Sequence, residues 1–105
     1  MFTTSLNNGG HGVLVESYQN GADWYRIYSD GWCEQGGQIE YETNNINLLK
    51  EMRGANYTFT LTQSEGDIGT VWLTGDRYTT YIYVRKDRYN RNSTYIIWEV
   101  KGYMK

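Results

Sequence analysis

Proline is absent from this chain, so every reversal of direction must be built from glycine, asparagine or aspartate; glycine occurs twelve times. Cysteine occurs once, at Cys33, which excludes a disulfide framework. Histidine also occurs once, at His11. With one thiol and one imidazole, neither a Cys/His metal centre nor a nucleophilic triad can be assembled, and no cofactor is expected. Aliphatic residues are scarce too: Leu, Ile, Val and Phe make up 20 of 105 residues, close to the level at which chains stop folding. An excess of either charge is missing as well. Ten Lys and Arg against twelve Asp and Glu leave a net charge of −2, which argues against general binding to nucleic acid or anionic lipid. No apolar run approaches the roughly 20 residues of a membrane-spanning helix. Met1-Phe2-Thr3-Thr4 has neither the charged start nor the apolar centre of a signal peptide. The expectation is a soluble protein made in a cytoplasm, with no membrane insertion.

Aromatic residues take the place of the missing aliphatics, with eleven Tyr and four Trp. Each such side chain can bury roughly 150–250 Å², enough to build the core of one small domain. Residues 1–12 hold Gly9, Gly10 and Gly12 with two Asn. They read as a flexible lead-in from something upstream, with His11 a solvated linker residue, and 13–105 reads as the domain.

From Val13 onward the apolar spacing has period two. In Tyr57-Thr58-Phe59-Thr60-Leu61-Thr62 the large apolar groups share one face and the threonines the other, as a half-buried strand requires. The same pattern fits 13–19, 22–29, 31–35, 37–43, 70–74, 78–86 and 94–103. Turn signals fall between them, among them Asn20-Gly21, Asp30-Gly31, Gly36-Gly37 and Gly75-Asp76. Eight short strands of this kind predict an all-β fold, a small antiparallel sandwich. Residues 46–52 (INLLKEM) break the pattern; their spacing is that of a single helical turn, yet an irregular strand fits equally well.

Charge is distributed unevenly. Residues 1–49 hold six acids against Arg26 alone, whereas 50–105 hold nine cations against six acids. The stretch 85–93 carries four cations and one anion. It reads either as a solvated loop or as a surface for an anionic or carbohydrate partner, since Arg grips carboxylate or phosphate and Tyr offers a stacking plane. The opposite charge of the two halves also permits contact between copies. The candidate binding residues are those at turns: Arg77, Tyr78, Arg88, Tyr89, Asn90 and Arg91. Tyr81 and Tyr83, at alternate strand positions, read as sheet packing. Cys33 reads as a buried small hydrophobe. Asp30, Glu34, Glu40 and Glu42 are the carboxylates a glycosidase would have to draw on, although Glu40 and Glu42 alternate with Ile39 and Tyr41 as solvent-facing positions do.

At 24–37 the stretch WYRIYSDGWCEQGG resembles the C-terminal tip domains of bacteriophage and prophage tail fibres. Its physical sense is a hairpin that turns at Asp30-Gly31 and brings Trp32 back beside the aromatic strand. Three further segments follow in the order such domains show: Ile46-Asn47-Leu48-Leu49, YTFTLTQ at 57–63, and Trp98-Glu99-Val100-Lys101-Gly102-Tyr103. Members of that family commonly have a proline where this chain has Leu48-Leu49. The resemblance implies a β-sandwich tip that forms a homotrimer about a fibre axis, follows an upstream shaft and serves on the virion. It further implies contact with a bacterial surface receptor, often lipopolysaccharide or another glycan, and no enzymatic activity. Two other functions fit the residues less well. One is a folding and trimerisation clamp without a ligand. The other is a glycan-degrading enzyme with Glu34 or Glu40 as its acid.

Overall fold

Gly21 and Gly31 both adopt the left-handed backbone, at φ +63° and +92°, and each closes a hairpin. The Asp30 side chain completes the second turn by accepting the Trp32 N–H at 3.0 Å. The resulting computed structural model describes residues 10–64, 73–86 and 95–105.

Eight antiparallel strands form two sheets. The larger contains β1 (Leu14–Asn20), β2 (Asp23–Tyr28), β3 (Trp32–Glu40), β8 (Tyr95–Tyr103) and β5 (Thr58–Ser64), in the order β1-β2-β3-β8-β5. The smaller contains β4 (Asn45–Asn47), β7 (Tyr81–Lys86) and β6 (Leu73–Arg77), in the order β4-β7-β6. The alternation explains the layering. Cys33, Gln35, Ile96, Trp98 and Val100 point inward from the large sheet and meet Ile46, Ile82 and Val84 from the small one in a single core. The predicted all-β sandwich is therefore the fold observed. Cys33 is fully buried, and burial pushes its thiol up to about 11.

Two predicted turns are strand interiors instead. Gly36-Gly37 does not divide two strands: both residues belong to β3, where Gly36 pairs with Trp24 and Gly37 with Trp98. A Cβ on Gly36 would lie 2.6 Å from the Trp24 indole nitrogen, so the glycine is there to let a tryptophan lie across the strand. Gly75-Asp76 likewise lies within β6, where a Cβ on Gly75 would come within 2.7 Å of Ile82 Cγ2. Strand β6 consequently occupies Leu73–Arg77 rather than 70–74, and the reversal moves to 78–80.

Residues 46–52 form no helix. After β4 the chain runs irregularly across one end of the sandwich, joined to both sheets. Leu48 and Met52 donate their N–H groups to Thr80 and Thr79 carbonyls at 3.0 and 2.9 Å, while Arg53 N–H reaches the Tyr103 carbonyl at 2.9 Å. The side chain of Gln35, fully buried, supplies the rest. Its Oε1 accepts the Leu49 and Lys50 N–H groups at 2.7 and 3.1 Å, and its Nε2 donates to the Lys50 carbonyl at 2.9 Å. Both amides of Leu48-Leu49 are thus engaged, and a proline at either position would forfeit a bond.

The lead-in is also ordered where it is described. His11 stacks on Trp32 with ring centroids 3.9 Å apart and planes within 4°, and its Nδ1 lies 2.9 Å from Asp30 Oδ2. It is a packed residue, contrary to the solvated linker expected. Partial burial pushes the Asp30 carboxyl up, but the Trp32 N–H and the His11 ring outweigh this and hold it below its usual range.

Replacing Gln35 with Leu strands buried backbone groups of Leu49 and Lys50. It should cost at least about 2 kcal/mol, read by urea denaturation, with amide exchange at both residues accelerated beyond the global effect. A Cβ on buried Gly102 would sit 2.6 Å from Tyr57 Cβ, whereas one on Gly54 meets nothing within 4 Å. Gly102→Ala should therefore cost about 1–3 kcal/mol, and Gly54→Ala less than about 0.5 kcal/mol, in the same measurement.

Candidate functional site

The reversal between β6 and β7 is fixed by its own backbone. Tyr78 N–H donates to the Tyr81 carbonyl at 2.9 Å. The carbonyls of Thr79 and Thr80 accept from Met52 and Leu48, and the Tyr57 hydroxyl donates to the Tyr78 carbonyl at 2.6 Å. With the main chain so occupied, the turn's side chains are free to face outward. Tyr78, 46% exposed, stacks on Tyr81 with centroids 4.5 Å apart.

The strand period places the neighbours. Because Ile82 and Val84 point into the core, Tyr81, Tyr83 and Arg85 must point out. Tyr83 is exposed, and the register sets Asn45 beside it on one side and Asp76 on the other; Asn47 stands beside Tyr81. Arg85 donates through Nε and a terminal nitrogen to Asp76 Oδ2, at 2.9 and 2.7 Å, and its guanidinium lies 5.9 Å from the Tyr83 ring centre. The amides of Asn45 and Asn47 have no hydrogen-bond partner among the described residues. Three tyrosines, two free amides and a fixed Arg–Asp pair therefore share the outer face of the small sheet. Such a face can stack on a sugar ring and bond its hydroxyls.

Of the candidate residues named from sequence, Tyr78 belongs to this face. Arg77 lies next to it and also ties the turn to β5, because its Nη1 donates to the Tyr57 carbonyl at 2.6 Å and its guanidinium lies 6.0 Å from the Phe59 ring. Arg88, Tyr89, Asn90 and Arg91 lie outside the described residues. Tyr81 and Tyr83, expected to pack within the sheet, lie on its outer face. The signal that could have found them is the pairing of Ile82 and Val84, which are more apolar than the tyrosines that alternate with them. The acids considered for catalysis are dispersed. Glu34 accepts the Trp32 indole N–H at 3.1 Å and lies 3.8 Å from Arg26, and Glu40 is exposed at the end of β3.

Tyr57 couples this turn to the core. Burial pushes its hydroxyl up from 10.0 to about 12, against the opposing pull of the Arg77 guanidinium. A raised acid favours the neutral, folded form, so its contribution is complete below pH 10 and is lost as pH rises toward 12. Tyr57→Phe should cost about 0.5–1.5 kcal/mol at pH 7. Its urea midpoint should then fall less than that of the parent between pH 10 and 12, while the Cys33 contribution, lost from pH 9 to about 11, persists in both.

The chain is similar in structure to a C-terminal fragment of the P. aeruginosa R2 pyocin fibre, with a TM-score of 0.66 at 16% sequence identity. The likeness covers 97% of this chain and 30% of that fragment, so the chain spans under a third of the fragment's length. At that identity the two share a fold. No protein family profile matches the sequence, and no curated protein does.

Proposed function

We propose that this chain is the tip domain of a bacteriophage or prophage tail fibre and attaches, without chemical turnover, to a glycan on a bacterial surface. The observation that carries the reading is the outward tyrosine face of the small sheet, with Tyr78 and Tyr81 stacked, Tyr83 exposed and the Asn45 and Asn47 amides unpaired among the described residues. The fibre setting draws support from the shared fold with a pyocin fibre fragment and from the four sequence segments that resemble tail-fibre tips. Tyr78 belongs to this face and Arg77 adjoins it, and the basic stretch holding Arg88, Tyr89, Asn90 and Arg91 follows β7 in the chain. Contact of this kind is shallow, and it becomes effective when several sites engage one surface together.

Self-association supports the same reading. Among the described residues strand β1 pairs with β2 alone, all of its residues are exposed, and Val13, Leu14 and Val15 present apolar side chains to solvent at 46, 48 and 59%. An exposed apolar edge of this type gains by covering itself with another copy, and the family resemblance implies three copies. The fibre would then act on the virion, after synthesis in the host cytoplasm.

The test is binding of the labelled chain to a panel of bacterial strains and to a glycan array, with molar mass measured on the same samples. A threefold mass and saturable binding are expected. Tyr78→Ala with Tyr83→Ala should weaken binding at least about tenfold, on the scale of two lost aromatic contacts. Arg88→Ala, Tyr89→Ala and Arg91→Ala together test the basic stretch. No binding by the folded chain would leave only the clamp role, and newly released reducing ends would overturn the non-enzymatic reading.

A further inference from the structure

The outer face of the large sheet carries a second recess, on a different element from the tyrosine platform. Trp32 of β3 pairs with Tyr103 of β8, and Lys101 of β8 pairs with Thr58 of β5. The 53–56 loop borders these residues, leaving a groove of about 570 Å³ lined by Trp32, Arg53, Asn56, Thr58, Lys101 and Tyr103. That volume falls within the roughly 300–1,000 Å³ of small-molecule sites.

Among the described residues, two cations and no carboxylate line the groove. Lys101 is shared with Glu99 at 3.5 Å. Arg53 has no acidic partner among the described residues; its guanidinium lies 4.9 Å from the Tyr103 ring centre, and its backbone N–H is bonded to the Tyr103 carbonyl. Stacking and main-chain anchorage hold the planar fork ready, with its N–H groups free for an anion. Around it stand the Asn56 amide, the Thr58 hydroxyl and the aromatic wall of Trp32 and Tyr103, itself braced by His11 stacked on Trp32 and edge-on to Tyr103.

We infer that this groove binds a sugar residue bearing an anionic group, carboxylate or phosphate, with Arg53 as the principal anion contact and Lys101 as its support. The saccharide part rests on the attachment function proposed above; the anion preference rests on the groove's own residues. Gly54 provides a clean probe, because its backbone needs no positive φ and a Cβ there meets no atom within 4 Å.

The 105-residue chain, labelled with ¹⁵N, is titrated with trigalacturonate, glucose 6-phosphate and maltotriose while amide shifts are followed. Trigalacturonate or glucose 6-phosphate should shift the amides of Arg53, Gly54, Asn56, Lys101 and Gly102, with maltotriose at least about tenfold weaker. Which of the two binds identifies the anion. Arg53→Gln and Gly54→Glu should each weaken binding at least about tenfold, while Gly54→Gln, equal in bulk but neutral, should stay within about threefold. Failure of both anionic sugars to shift these amides would overturn the inference, as would equal binding of maltotriose. Acetate producing the same shifts at the same concentration would reduce the groove to a simple anion pocket and overturn its saccharide part. Loss of cell binding with the groove titration intact would refute attachment alone, so the two failures can be told apart.

Discussion

Gln35 sits in the middle of the central strand pair, its side chain sealed from water, and its shortest hydrogen bonds are directed at one irregular stretch of chain. A buried amide is costly unless it is satisfied, and the backbone of Leu49 and Lys50 is equally costly to bury without partners. Each solves the other's problem. Because this exchange holds residues 48–53 in place, their remaining main-chain groups can reach Thr79 and Thr80 on one side and Tyr103 on the other. The end of the sandwich is closed by hydrogen bonds in a molecule with too few aliphatics to close it by packing alone.

Both proposed binding surfaces descend from that closure. The Thr79 and Thr80 carbonyls, held by the 48–52 segment, join the Tyr57 hydroxyl and the Arg77 guanidinium in fixing the reversal that displays Tyr78. On the opposite face, the Arg53 amide anchored to Tyr103 sets the wall of the cationic groove. Neither surface depends on a deep cavity. Each is a rigid strand face that exposes side chains the core does not need, and a small domain gains recognition surface in this way without enlarging its core.

Much of the fold was legible because β structure writes its two faces into alternate residues. The Thr58, Thr60, Thr62 comb and the Ile96, Trp98, Val100 row are examples, and both strands lie where the spacing puts them. Glycine is the ambiguous residue: at Gly36-Gly37 and Gly75 it serves the close approach of a side chain from another strand instead of a turn. Locally the two uses look alike; the difference lies in Trp24 and Ile82, which only pairing brings near. His11 is illegible for the same reason, since the stacking that immobilises it comes from Trp32, far along the chain. Tyr78 was legible from its turn. Tyr81 and Tyr83 were not, because a tyrosine at an alternate strand position can face either way until its neighbours' burial is known.

The sequence by itself determined the all-sheet class, the hairpins at Gly21 and Gly31 and the burial of Cys33, since each follows from composition or from contacts between near neighbours. Tertiary structure alone decided the course of 46–52, the outward turn of the tyrosines and the meeting of Trp32, Arg53 and Lys101 around one groove. These depend on which strands become neighbours. The order β1-β2-β3-β8-β5 joins residues some 70 positions apart, such as Trp32 and Tyr103, and that choice is made by the sum of many weak burial terms that no short stretch of sequence contains.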